Sequence, residues 1–200
     1  MELSDAVRNR RMVRAFSDRP VPAELLDDVL AQALSAPTAG NSHGVDFVVL
    51  RGARETAMFW QATTTEDWWQ RNPRRAGMRS APVVLLPVSG PPPYLARYAL
   101  EDKARSGLDR PEAWPIPFWF TDAAFATMIV LLRAVDAGLG AAFVGIFRGE
   151  SSLLSSLGVP DGLRPLGAVL LGYPAPHQAP SASGLLPGRR RGERIHFGSW

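Results

Sequence analysis

The 200-residue chain contains no cysteine at all, which removes disulfides and thiolate metal sites and makes a cytoplasmic address the default expectation. It has a single lysine, Lys103, against 21 arginines, so its basic pI of about 9.9 reflects a compositional preference for Arg; the net charge is only +3. No Lys/Arg stripe alternates with aromatics, and a nucleic-acid groove is therefore not expected. Histidine is scarce and scattered (His43, His177, His196), without the spacing of a metal site. No apolar run reaches the roughly 20 residues of a membrane span. The longest, from Ala123 to Leu132, is broken by Thr127, and no membrane association is expected. With Asp5, Arg8 and Arg10 in the first ten positions, the charged-then-apolar pattern of a secretory signal is missing, and none is expected. A Gly-x-Ser-x-Gly elbow and a phosphate loop ending in Gly-Lys-Ser/Thr are also missing. Gly138-Leu139-Gly140 has the wrong spacing for a dinucleotide turn and leaves a helix for a strand, the reverse of a Rossmann crossover.

What is present fits one domain over residues 1–200 with a substantial core, at 46% hydrophobic and 20% charged. A short helix is expected over 2–10. A clearer one follows Pro22, with Leu25, Leu26, Val29, Leu30 and Leu34 at helical spacing. Residues 46–50 and 82–88 read as strands. Residues 58–80 and 90–120 are irregular, rich in Pro, Arg and aromatics, and hold five of the six tryptophans: Trp60, Trp68, Trp69, Trp114 and Trp119. A long helix over 121–136 is apolar nearly all round, which places it centrally in the domain or at a subunit interface. A strand over 140–147, a short helix over 150–157, a core strand over 166–173 and a short edge strand over 194–197 complete the reading. Without a regular βαβ beat, the fold class is α+β, a sheet with helices packed around it.

Two runs stand out as candidate chemistry. Arg10-Arg11-Met12-Val13-Arg14, with Phe16, sets three guanidiniums within five residues. Such a run fits a solvated turn, or a set of planar forks for phosphate oxygens and ring carbonyls. Ala36-Pro37-Thr38-Ala39-Gly40-Asn41 is a small-residue loop tipped by an amide; Asn41 suits a turn as well as a ligand contact. The tryptophans fit core packing or a lid, and Arg189-Arg190-Arg191 fits a basic tail.

Taken in order, these pieces resemble the FMN-dependent nitroreductase family. The similarity runs through Arg10 to Phe16, the Arg19-Pro20-Val21 turn, and the Ala36–Asn41 loop leading into a Phe-Val-Val strand. It continues in the Trp119-x-x-Asp122-Ala123-Ala124 helix that ends in Ala137-Gly138-Leu139-Gly140, then in Leu171-Gly172-Tyr173-Pro174 and an Arg-containing tail. The resemblance implies an α+β sandwich with a mixed or antiparallel sheet. It also implies a homodimer binding two FMN molecules at its interface, with a C-terminal arm (about 176–200) wrapping the partner. Arg10, Arg11 and Met12 would line the phosphate and ribityl side, and Arg14 would face the pyrimidine edge. Pro37, Thr38 and Asn41 would reach the FMN from the other subunit. Phe143, Val144, Gly145 and Ile146 would pass near N5, and Arg189 or Arg191 would meet the phosphate. Trp68, Trp69, Trp114 and Trp119, within an aromatic region of about 58–120, would form a substrate lid.

The activity implied is transfer of a hydride from NAD(P)H through the flavin to a small acceptor (a nitroaromatic, quinone or enone) by ping-pong kinetics, with no side-chain catalyst. A flavin-storage protein without turnover, and a flavin-dependent biosynthetic dehydrogenase of the same fold, are the alternatives. Two departures from the family pattern bear on substrate choice and flavin contact: Met12 stands where Ser is usual, and His43-Gly44-Val45 where Gln-Pro-Trp is common.

Overall fold

A computed structural model of the chain describes residues 1–178, 188 and 194–200. At its centre is an antiparallel sheet in the order β1-β2-β5-β3: β1 is Val45–Arg51, β2 Val83–Ser89, β3 Gly140–Val144 and β5 Ala168–Gly172. A two-residue strand, β4 (Arg164–Pro165), pairs with the end of β2. β2 reads as an unbroken apolar run because both of its faces are covered. Its side chains alternate between two cores: Val84, Leu86 and Val88 enter one, Val83 and Leu85 the other. Pro87, which has no N–H to give, sits between the β5 and β4 pairings of β2, where the ladder is interrupted.

One core is closed by α3 (Gly52–Thr63), α4 (Glu66–Arg71) and α7 (Glu150–Ser156), through Phe59, Trp60, Trp69 and Leu153. The other is closed by α2 (Ala23–Ala33) and α6 (Phe118–Asp136), through Leu26, Val29, Val130 and Ala134. The α+β sandwich is as expected, and α1 (Leu3–Asn9) lies against α6.

Several boundaries differ from the sequence reading. The long helix starts three residues earlier, at Phe118. It is the one helix among the described residues long and apolar enough to cross a membrane, yet its sheet-facing side forms domain core. Phe125 and Met128, on its outer side, remain 47% and 48% exposed, so it is not buried all round. The strand expected over 140–147 ends at Val144, because the chain leaves β5 there and turns through Gly145. The edge strand expected over 194–197 does not form: these residues are exposed and unpaired, and His196 stacks on Trp200 at 4.5 Å. The irregular stretches 58–80 and 90–120 contain α4, α5 (Pro91–Tyr98) and several 3-10 turns; Pro91 opens α5, and Pro73 and Pro111 each open a 3-10 turn.

Candidate functional site

The arginine run leaves α1 and becomes an extra, partial strand beside β3. Met12 forms a parallel bridge with Ala141, and the Val13 N–H donates to the Ala141 carbonyl at 2.9 Å. Phe16 then bridges Pro174, and the Ser17 N–H donates to the Tyr173 carbonyl at 2.9 Å. The approach at β3 is close enough to require glycine. A Cβ on Gly140 would stand 2.8 Å from both methyls of Val13. Because the bridge is parallel, Arg14 runs beside the Phe143–Val144 end of β3, with Gly145 and Ile146 just beyond it, whereas Arg10 lies toward the Gly140 end, where α1 finishes.

The run's members have different jobs. Arg11 folds back on its own helix, donating to the carbonyls of Arg8 (2.6 Å) and Arg10 (2.9 Å), and so caps α1. Met12 faces the protein: its sulfur accepts the Phe143 N–H at 3.4 Å, and its side chain packs against both cores. Thus, where the family usually has a hydroxyl, this chain has a thioether committed to β3. Arg14 is half-buried and donates to the Met12 carbonyl at 3.3 Å, and neither it nor Arg10 has a carboxylate partner among the described residues. Sequence reasoning missed Gln178. Its amide accepts from the Arg14 and Ala15 N–H groups (both 3.2 Å) and donates to the Ala15 carbonyl (2.6 Å), pinning this segment from the C-terminal side. A lone glutamine before a Pro-rich tail gives no signal of that role.

The Pro37–Asn41 loop stands elsewhere in the protomer, packed on α5 and α6. No hydrogen bond among the described residues joins it to the arginine run or to 143–146. Its backbone turns through the left-handed region: Gly40, Asn41 and His43 have φ of 62°, 57° and 48°. Glycine adopts this freely and Asn and His more readily than most residues, and hydrogen bonds from neighbours fix the turn. Those neighbours are here. The Ala39 N–H donates to Asp122 (2.8 Å), the His43 N–H to the Thr38 hydroxyl (3.0 Å), and Arg97 Nε to the Gly40 carbonyl (2.9 Å). Pro37 and Asn41 are left exposed.

The expected lid is divided between two clusters. Trp69 is buried with Trp60 beneath α4, with Trp68 half-buried beside it. Trp114 and Trp119 are buried around Tyr94, with Tyr98 edge-on to Trp114 at 4.8 Å. The second cluster backs the Pro37–Asn41 loop, because the Tyr98 ring occupies the place where a Gly40 Cβ would lie, 2.6 Å away. Within a protomer, Trp69, Trp114 and Trp119 therefore act as core, their large rings hidden by short helices that sequence periodicity did not reveal. Arg189 and Arg191 lie outside the described residues.

Among the described residues no three His, Asp or Glu side chains gather as a metal site. The arrangement offers instead two guanidiniums without a carboxylate partner among the described residues, on a segment paired to β3, and a polar loop whose Pro37 and Asn41 are exposed elsewhere on the protomer. Guanidiniums are planar forks suited to phosphate oxygens and ring carbonyls.

The sequence profile of the nitroreductase family matches residues 7–173. A protein of Methanothermobacter thermautotrophicus, provisionally named an NADH dehydrogenase/NAD(P)H nitroreductase, is 28% identical over 204 residues, covering all of this chain and 88% of its own length. An FMN reductase [NAD(P)H] of Bacillus subtilis is 25% identical, covering 89% of this chain and 68% of its own. Among solved structures, a nitroreductase family protein from Clostridium difficile superposes with a TM-score of 0.71 at 20% identity, each chain covered in full, and so shares the fold. With the profile spanning most of the chain, this protein belongs to the nitroreductase family.

Proposed function

We propose that the protein is an FMN-dependent NAD(P)H oxidoreductase that works as a homodimer, with each flavin held between two chains. One observation carries the reading. The Arg10–Arg14 segment is paired to β3, and neither Arg10 nor Arg14 has a carboxylate partner among the described residues, while Pro37 and Asn41 of the next loop are exposed elsewhere on the same protomer. Neither half makes a complete ligand site by itself; two chains related by a twofold axis would bring one of each together. The FMN reductase and NAD(P)H nitroreductase names of the relatives support the choice of cofactor and reductant.

FMN, when bound, would supply the redox chemistry that links NAD(P)H to a second substrate. The residues of this chain would hold and tune it. Arg10 would meet the phosphate side. Arg14, fixed by Gln178 and by its bond to Met12, would face the pyrimidine edge and stabilise negative charge there. Backbone groups of Gly145 and Ile146 would line the N5 side, and Thr38 and Asn41 of the sister chain would close the site. No side chain is assigned as an acid or base, and protons would come from solvent. Donor and acceptor then use the same open face in turn, giving ping-pong kinetics with a flat acceptor such as a nitroaromatic, quinone or enone.

Purified protein is expected to be yellow and to release FMN on heating, and stopped-flow mixing with NADH or NADPH is expected to bleach the flavin. Colourless protein that takes up no added FMN overturns the reading. Bound flavin that neither nucleotide reduces leaves only a flavin-binding protein.

A further inference from the structure

We propose that the buried Tyr94–Asp122 pair is the positioning device that fixes the Thr38–His43 loop in its flavin-binding geometry, so that two side chains outside the contact set govern flavin affinity. The proposal rests on the FMN reading above.

Asp122 lies in the second turn of α6 and is only 2% exposed. A carboxylate withdrawn from water is tolerated only with donors around it. Here one oxygen, Oδ2, receives two: the Tyr94 hydroxyl at 2.8 Å and the Ala39 N–H at 2.8 Å. Tyr94 is fully buried on α5, and its neighbours are Trp114 and Trp119, so the hydroxyl has been brought into an apolar cluster to reach this carboxylate. Burial and the adjacent Asp122 push the Tyr94 hydroxyl well above its ordinary range, and it remains a donor at every working pH.

The pair acts at the residue that begins the left-handed turn. Ala39 directly precedes Gly40 and Asn41, both left-handed. One residue on, Arg97 holds the Gly40 carbonyl while its fork is locked on Asp102 by two bonds of 2.7 Å. The loop is thus clamped from α5 and α6. A charged acceptor makes a stronger bond to an N–H than a neutral one, so the carboxylate form of residue 122 matters and not only its shape.

The test uses the full-length protein with Asp122→Asn and Tyr94→Phe, each a near-isosteric change. Both variants are expected to keep the far-ultraviolet circular dichroism and the oligomeric state of the parent. Both are expected to bind FMN about tenfold or more weakly, about 1.4 kcal/mol in affinity. The visible circular dichroism of the bound flavin should change. In FMN-free protein, amide hydrogen exchange should quicken across residues 38–43. Because the two side chains share one network, the double variant should lose less than the sum of the singles. Leu50→Ala, a core truncation in β1, controls for simple destabilisation: it should lower the melting temperature while leaving FMN affinity and the dichroic signature in place.

If Asp122→Asn and Tyr94→Phe lose thermal stability but match the parent in affinity and signature, the pair is merely structural and the proposal is overturned. Should Asp122→Asn fail to fold, Tyr94→Phe, which removes one oxygen, decides on the same readouts. Asn41→Ala separates the two levels. Weakened FMN in Asn41→Ala with unaltered Asp122→Asn sinks the positioning role alone, whereas a parent protein that binds no FMN sinks the functional reading.

Discussion

A half-buried guanidinium without a carboxylate partner is a costly arrangement unless something else answers its charge. Among the described residues Arg14 is such a group. Its neighbour Arg11 turns Nη1 to two carbonyls at the end of α1, and Arg97, Arg133 and Arg164 all rest on Asp or Glu. Gln178 fixes the backbone of Arg14 and so its place, but adds no negative charge. If the charge is answered by the reduced flavin, Arg14→Ala should make the midpoint potential more negative. A change of about 30 mV corresponds to about 1.4 kcal/mol for a two-electron couple. Arg14→Lys should restore much of it, since charge is kept while the planar fork is lost. Dye-coupled potentiometric titration reads this directly, and an unmoved potential in Arg14→Ala would remove the residue from its assigned role. Met12 carries the opposite lesson. Its place in the motif marked it as a ligand contact, but its sulfur is turned to Phe143, and only the structure shows which way an unbranched apolar chain points.

The elements that were legible were those whose burial leaves a period in the sequence. α2 showed its apolar stripe because one face meets the sheet, and β2 showed a continuous run because both faces are covered. α4, α5 and the 3-10 turns between residues 66 and 113 hid, since each is too short for a period to accumulate and several begin at proline. The Tyr94–Asp122 contact was equally hidden: nothing in a separation of 28 residues brings those two together without knowing that α5 and α6 meet. The pairing of residues 12 and 13 with β3 lay between these extremes, because the motif was readable but its neighbour was not. That pairing can be tested as an element. Gly140→Ala would press a methyl to within 2.8 Å of the Val13 side chain and push the arginine segment off β3. Overpacking of this kind costs about 1–3 kcal/mol. Urea denaturation should show the loss, and FMN titration should show weaker binding alongside it. Val13→Ala removes both offending methyls, so the double variant should recover flavin affinity that Gly140→Ala lost. An undisturbed Gly140→Ala protein would mean that the segment and β3 are not held so close.

At the scale of the molecule, α6 is amphipathic in an unusual sense, because both of its sides are apolar. Val130, Leu131 and Ala134 enter the domain core, while Ala124, Phe125 and Met128 are left on the outside. The spacing of Phe125 and Met128 puts them on one stripe, and an exposed stripe of large apolar groups on a helix this long invites a partner surface. The same helix carries Asp122, which holds the loop that offers Asn41 outward, so the stripe and the loop share one rigid support. Dimerisation through α6 would then do two things at once: cover the stripe and deliver each loop to the other chain's arginines. The consequence is a coupling that a self-contained site would not show. Phe125→Glu combined with Met128→Glu places like charges on the stripe without touching any proposed flavin contact. The double variant should run as a monomer by light scattering, and its FMN affinity should fall about a hundredfold or more, the equivalent of about 2.8 kcal/mol. Because both substituted positions are already exposed in the protomer, the monomer should retain its secondary structure and its core. A monomer that bound FMN as tightly as the parent would show that one chain suffices, and the division of the site between Arg10–Arg14 and Thr38–Asn41 would fall with it.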